Sequence, residues 1–166
     1  QRDWLRQIVV EFIGPFALMF IGGGAIMATA ADGTIDGGDL LAIAVAHGLA
    51  IGLMVAAAGH ITGGLYNPAL NVGLMITRRL PVDKGVVYTI SQLAGAVVAA
   101  LALKAIFPSA TVDAVNLGVL QLSPGTAAGA GLLAEGIATF FLMYAVFGTA
   151  IDSRGAKAIA PLVIGL

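Results

Sequence analysis

Cysteine is absent from the sequence, and charged residues make up only 10% of its 166 residues. Without cysteine the chain can form neither disulfides nor thiolate metal sites. A soluble domain carries about a quarter charged residues, so this chain has too little charge to coat a soluble surface. The net charge is −1, so the chain lacks the excess of basic residues that is typical of nucleic-acid binding. The two histidines, His47 and His60, leave little material for a metal site.

The sequence is rich in hydrophobic residues, which make up 59% of it and give a mean hydropathy of +1.00. A helix needs about 20 apolar residues to cross the hydrocarbon of a bilayer. Four runs satisfy this, and a fifth opens at Ala156 and reaches Leu166. The four runs are Ile8–Ala30, Leu40–Gly59, Gly85–Leu103 and Ala127–Ile151. The first is too long for the apolar region of a secretory signal. The sequence therefore predicts an all-α membrane protein with several transmembrane helices.

A sixth apolar stretch, Pro68–Thr77, is too short to span, because as a helix it covers roughly 15 Å, about half the hydrocarbon. Asparagine is a favoured N-cap and proline a favoured first helical residue, so a helix should begin at Asn67 and Pro68. Gly63 and Gly64 let the preceding backbone turn. The pattern predicts a re-entrant half-helix.

The loop before this half-helix predicts a polar path at mid-membrane, because irregular backbone survives there only where it is buried in protein or lines a cavity. Carbonyls of Gly64, Leu65 and Tyr66 would offer acceptors in a row. Asn67 would offer its amide NH₂ while its side-chain oxygen caps the helix. The positive end of the half-helix would repel cations.

The basic residues predict the orientation, since cytoplasmic loops carry an excess of lysine and arginine. With a cytoplasmic N-terminus, seven basic residues fall inside and Lys104 falls outside. The seven are Arg2, Arg6, Arg78, Arg79, Lys84, Arg154 and Lys157.

Two stretches of the chain, residues 11–20 and residues 135–144, are identical at five of ten positions, and both begin with glutamate. Three full spans separate their starts, so the copies cross the membrane in opposite directions, as in an inverted repeat. The alternative is a likeness of composition between apolar helices. We expect a first repeat at 1–107, an extracellular connecting loop at 108–126 and the start of an inverted second repeat at 127–166. Were the repeat to continue, a second re-entrant segment would follow Leu166.

The segment Asn67-Pro68-Ala69, preceded by Thr62-Gly63-Gly64, is similar to the first signature loop of the aquaporins and glycerol facilitators. Further similarities to this family lie in its first, third, fourth and fifth helices. They are Glu11-Phe12-Ile13-Gly14, Ser91-Gln92-Leu93-Ala94-Gly95-Ala96, Glu135 with Thr139-Phe140, and Ala160-Pro161-Leu162-Val163-Ile164-Gly165.

This resemblance implies a passive channel for water, with ammonia or other small uncharged solutes as further candidates, in a homotetramer within the lipid bilayer. It implies no cofactor and no nucleic-acid partner. The family usually has histidine where this chain has Leu65, and threonine where it has Asn71. The family's second Asn-Pro-Ala and the arginine after it have no counterpart up to Leu166. We therefore expect a complete pore only if the natural chain continues.

Four ionisable residues acquire roles from the same resemblance. His47 falls at the family's constriction, where tonoplast aquaporins carry histidine and other members carry an aromatic residue; the alternative is a histidine bonded to a carbonyl within the bundle. His60 would face the cytoplasmic vestibule or anchor the loop. Glu11 and Glu135 would accept hydrogen bonds from loop backbone as structural residues.

Three other functions stay open at this point. A glycerol facilitator differs only in solute, and an accessory membrane subunit would keep the fold without an open pore. A proton-coupled transporter would use Glu11 or Glu135. An enzyme is not expected, because the sequence offers no nucleophile–base pair, phosphate loop or metal cluster.

Overall fold

The computed structural model describes residues 2–166, so Gln1, the first residue of the expected first repeat, lies outside the described part. Seven α-helices are present among the described residues. They are α1 (Arg2–Thr29), α2 (Gly37–Thr62), α3 (Pro68–Ile76), α4 (Val82–Ile106), α5 (Ser109–Ala114), α6 (Ala128–Val146) and α7 (Ala160–Gly165). A π-helical turn, Phe147–Ile151, extends α6, and 3₁₀ turns lie at Asn116–Gly118 and Lys157–Ile159.

Four helices are long and apolar enough to cross a membrane, which confirms the predicted spans. They are Asp3–Thr29, Gly37–Thr62, Val82–Ile106 and Ala128–Ile151. Polar capping explains why α2 extends beyond its apolar run. The Asp36 side chain accepts hydrogen bonds from the backbone N–H groups of Gly38 and Asp39, and Gly63 ends the helix with φ +96°. Both ends of α2 are thus fixed by local chemistry.

The half-helix α3 begins where capping chemistry predicts. Asn67 is its N-cap, Pro68 its first residue, and the Asn67 Oδ1 accepts a hydrogen bond from the Ala69 N–H at 2.8 Å. The helix has 9 residues and ends at Ile76. At 1.5 Å per residue it is roughly 14 Å long, too short to span.

Contacts along the helices give their directions. Ser91 Oγ donates to the Ile8 carbonyl and Gly95 lies against Phe12, so α1 and α4 run parallel. Between them in sequence, α2 runs the other way, because Gly22 of α1 lies against His47 in the first half of α2, whereas the earlier residue Gly14 lies against Tyr66, just past the end of α2.

The later helix α6 runs opposite to α1. Met143 of α6 lies against Gly73 of α3, and Phe147 lies under the Arg79 guanidinium just past α3. Hence α6 is parallel to α3. Helix α3 is antiparallel to α4, because Asn71 contacts Gln92 while the later residue Met75 contacts the earlier residue Gly85. The two similar glutamate-containing helices therefore cross in opposite directions, which agrees with the predicted inverted arrangement.

The connecting segment 108–126 is not wholly irregular. It contains α5 and the 3₁₀ turn at Asn116–Gly118. Val112 of α5 is buried with Met27 of α1 and Leu103 of α4, in a cluster that ties this segment to the ends of two spans. Helix α7 packs against α2, where Gly48 and Gly52 meet the backbone of Gly165 and Pro161.

Candidate pore loop

The loop between α2 and α3 lies at depth in the helix bundle. Its backbone contacts Glu11 of α1, nine residues after the helix begins at Arg2, and Glu11 in turn contacts Gln92 of α4. At 1.5 Å per residue this is roughly 14 Å along α1. The chain therefore enters between these helices and returns toward the starting end, as a re-entrant segment does.

Glu11 binds two of the loop's backbone N–H groups, those of Leu65 and Tyr66. Its side chain is 0% exposed. Oε1 accepts a hydrogen bond from the Leu65 N–H at 3.3 Å, and Oε2 accepts one from the Tyr66 N–H at 2.9 Å. Oε2 also accepts from the Gln92 Nε2 at 2.7 Å. A carboxylate with three donors satisfies its hydrogen-bonding needs inside the bundle.

A second polar contact joins α3 to the same group. The Asn71 side chain is also 0% exposed. Its Nδ2 donates to the Gln92 Oε1 at 2.9 Å and to the Thr89 Oγ1 at 2.9 Å. The amide of Gln92 therefore connects Asn71 with Glu11. We call Glu11, Asn71 and Gln92 the loop anchor.

The carbonyl groups of the loop are left available. Among residues 2–166, no carbonyl from Gly63 to Tyr66 accepts a hydrogen bond. Gly63, Gly64 and Tyr66 all have positive φ, which turns the backbone so that its donors and acceptors point apart. The loop N–H groups have partners in Gly59, Thr62 and Glu11, whereas the loop carbonyls from Gly63 to Tyr66 have none among residues 2–166.

Tyr66 adopts φ +51°, an uncommon conformation for a non-glycine residue. Its hydroxyl donates to the Met54 carbonyl at 3.1 Å. Its ring lies on Gly14 of α1, where any added Cβ would overlap it. These contacts to two helices hold the strained residue in place.

The remaining predicted site residues occupy different surroundings. Gly64 and Leu65 are buried, and the Leu65 side chain packs in a cluster with Leu74 and Tyr88. The Leu65 side chain is therefore part of the core, while its carbonyl accepts no hydrogen bond among residues 2–166. Pro68 and Ala69 form the partly buried first turn of α3. His60 is exposed in the last turn of α2.

His47 lies away from the loop, against Gly22 of α1. Its Nδ1 lies 2.8 Å from the Ile43 carbonyl, so Nδ1 carries a proton in this contact. In the neutral ring Nε2 is then an acceptor. This hydrogen bond matches the alternative in which His47 is bonded to a carbonyl within the bundle, and the pore role of His47 stays a prediction.

Glu135 of α6 is exposed, unlike Glu11, and among residues 2–166 no hydrogen bond reaches its side chain. The structure therefore does not bring Glu135 to the loop between α2 and α3. Its proposed backbone partner stays a prediction.

Sequence reasoning missed two members of the loop anchor, Asn71 and Gln92. Both are polar residues in apolar helices, which is a signal of function or specific pairing in a membrane. The signal was present in the sequence, but the partners depend on how each helix is rotated about its axis.

The geometry defines a class of protein: a helical membrane protein with a capped, re-entrant half-helix at depth. The sequence matches the family described as Major intrinsic protein over residues 1–166. The chain belongs to the major intrinsic protein family.

Similarity to known proteins agrees with this membership. The chain is 40% identical to a protein named Probable aquaporin TIP-type alpha from Phaseolus vulgaris, covering 99% of this chain and 64% of that protein. It is 32% identical to Glycerol uptake facilitator protein-like 6 from Lactiplantibacillus plantarum, over 98% of this chain and 71% of the relative. The chain thus spans less than two thirds of the first relative's length.

A solved structure shares the fold. The aquaglyceroporin from Plasmodium falciparum superposes with a TM-score of 0.78, covering 98% of this chain and 68% of that one. Sequence identity is 23%, so this likeness concerns the fold.

Proposed function

We propose that the chain is part of a passive transmembrane channel for water in a lipid bilayer, to which it contributes the first repeat and the start of the second. The observation that carries this proposal is the loop at Gly63–Asn67, where the carbonyls of residues 63–66 accept no hydrogen bond among residues 2–166 while Glu11 binds two of its N–H groups. A row of acceptors replaces the hydration of a passing molecule at little cost.

Asn67 completes the path as a donor. Its Oδ1 is used by the helix cap at Ala69, which leaves the Nδ2 amide for the solute. Placed at the positive end of α3, this donor would orient water and oppose cations. Gly64, Leu65 and Tyr66 act through their backbone carbonyls, and Pro68 and Ala69 form the turn that presents the amide.

Ammonia and other small uncharged solutes are further candidates, because His47 would add an acceptor at Nε2 and leave more space than an aromatic ring. Glycerol is the alternative solute, supported by the similarity to a glycerol uptake facilitator. We assign transport and not catalysis, since the named relatives are an aquaporin and a facilitator.

The proposed assembly includes a cytoplasmic N-terminus, the repeat limits 1–107 and 127–166 joined by an extracellular segment 108–126, and a homotetramer. His60 would then face the cytoplasmic vestibule. Glu11 serves as a structural residue, supported by its three hydrogen bonds, and Glu135 would serve likewise in the second repeat.

Stopped-flow light scattering on proteoliposomes that hold the natural chain tests the proposal. Wild type should pass water with low activation energy. Asn67→Leu should reduce flux to that of empty liposomes, while Gln121→Leu, an amide-to-leucine change on the exposed connecting segment, should not. His47→Phe should change the ratio of ammonia or glycerol flux to water flux.

Folded wild-type protein with no more flux than empty liposomes would refute the channel and favour an accessory subunit with the same fold. Uphill uptake driven by a pH gradient would instead favour a proton-coupled transporter.

A further inference from the structure

A charged cavity lies at the end of α6, apart from the candidate pore loop. It has a volume of about 760 Å³. Its lining residues are Arg79, Tyr144, Phe147, Gly148, Ile151, Asp152, Ser153 and Arg154. It therefore joins the segment after the half-helix α3 to the segment after the α6 span, two parts of the chain more than sixty residues apart in sequence.

Two guanidinium groups converge on this cavity from different elements. The Arg79 Cζ lies 5.8 Å from the centre of the Phe147 ring, which holds this side chain over the end of α6. Arg154 donates from Nε and Nη2 to the two carboxylate oxygens of Asp152, at 3.1 and 2.8 Å. Both arginines are exposed, so their remaining N–H groups are accessible.

The cavity has an excess of positive charge. Hydrogen bonds from Arg154 lower the pKa of the Asp152 carboxyl, and the charges of Arg79 and Lys157 lower it further. Lys157 thus adds a third cation near the single carboxylate. Positive potential of this kind attracts anions.

Folding stability gives little reason for this arrangement. The Arg154 side chain is 87% exposed, and an ion pair so open to water contributes little to stability. A bias of basic residues toward the cytoplasm accounts for the sign of the charge but not for the convergence of Arg79 and Arg154 on one cavity.

The cavity also lies at a membrane boundary. The candidate span ends at Ile151, which lines the cavity beside Phe147, and the charged residues begin at Asp152. Tyr144 contributes an exposed aromatic ring with a hydroxyl. Aromatic residues beside basic residues are typical of the headgroup level of a bilayer.

We propose that this cavity binds the phosphate headgroup of an anionic membrane lipid. Arg79 and Arg154 bind the phosphate oxygens, for which guanidinium groups are suited, and Phe147, Ile151 and Tyr144 contact the apolar part of the same molecule. Basic pockets between transmembrane helices on the cytoplasmic side bind such headgroups. A soluble phosphate would gain nothing from the apolar wall, which favours the lipid as the source. The proposal does not depend on an open pore.

Native mass spectrometry of the purified natural chain in detergent tests this site. Phosphatidylglycerol is titrated and compared with phosphatidylcholine of the same acyl chains. We expect tighter binding of phosphatidylglycerol, and Arg79→Gln and Arg154→Gln should each weaken it about fivefold, the effect of one basic residue at an anionic surface. Asp152→Asn should strengthen it, since it removes the carboxylate from the lining and keeps an oxygen for Arg154.

Lys104→Gln is the matched control, because Lys104 is exposed at the far end of α4 and should leave binding unchanged. Should Arg79→Gln fail to fold, the exposed Arg154 carries the test. Equal binding of the two lipids, or unchanged affinity in Arg154→Gln, would overturn the proposal. So would inorganic phosphate that binds as tightly as phosphatidylglycerol, since the site would then not be a lipid site.

Discussion

Replacing Glu11 by leucine removes an acceptor that three buried donors share. The Leu65 and Tyr66 N–H groups and the Gln92 Nε2 would lose their partner. Each buried donor without a partner costs about 1–3 kcal/mol. Allowing for partial relaxation of the Gln92 side chain, we expect Glu11→Leu to lower the free energy of unfolding by about 3–6 kcal/mol.

Gln92→Leu should cost less, because Asn71 keeps its hydrogen bond to the Thr89 Oγ1 and Glu11 keeps both loop N–H groups. We expect roughly 1–3 kcal/mol for this change. Asp113→Ala is the control, since Asp113 is exposed and surface substitutions change stability by about 0.5 kcal/mol or less.

The assay is unfolding of the detergent-solubilised natural chain by sodium dodecyl sulfate, followed by circular dichroism, beside water flux in proteoliposomes. The expected order of stability, from highest to lowest, is Asp113→Ala, then Gln92→Leu, then Glu11→Leu. Flux should fall with the last two variants, because the loop carbonyls turn once the loop anchor is broken. A free energy of unfolding for Glu11→Leu within about 1 kcal/mol of that of Asp113→Ala, the size of one typical neutral hydrogen bond, would show that the three donors do not depend on Glu11.

Two glycine substitutions extend the test. Gly14→Ala places a methyl group where the Tyr66 ring lies, so we expect about 1–3 kcal/mol of destabilisation in the same unfolding assay. Gly136→Ala is its control, since no atom of residues 2–166 outside the local helix lies within 4 Å of the added Cβ; equal losses in both would contradict the packing account. Gly22→Ala displaces the His47 ring and should change the ratio of ammonia to water flux while the protein stays folded. An unchanged ratio would remove His47 from the solute path.

Much of the fold follows from local sequence chemistry. Hydropathy predicted four spans because a bilayer imposes a minimum apolar length, and α3 began at Asn67 and Pro68 because a cap and a first-turn proline act within a few residues. Helix α2 is longer at both ends than its apolar run, because Asp36 and Gly63 cap it through polar contacts that hydropathy does not include.

Contacts between helices were harder to predict. Gln92 contacts both Asn71 and Glu11 only because three helices are rotated suitably about their axes. This rotation cannot be predicted from any one of the three segments alone. The sequence does not indicate helix α5 within the connecting segment, because its 6 residues are too few for a periodic pattern. The conformation of Tyr66 depends on its ring contact with Gly14, far earlier in the chain, and its sequence neighbours do not indicate it.

The loop anchor has a consequence for biogenesis. Translation delivers α3 before α4, yet the side-chain partners of Asn71 are Thr89 and Gln92, both on α4. A helix of 9 residues is only marginally stable alone and cannot span the bilayer. The loop before α3 already has partners on α1 and α2, but we expect the half-helix itself to reach its final position only after α4 has inserted. On this reasoning the insertion of α3 is coupled to that of α4, so a later helix sets the final depth of an earlier one.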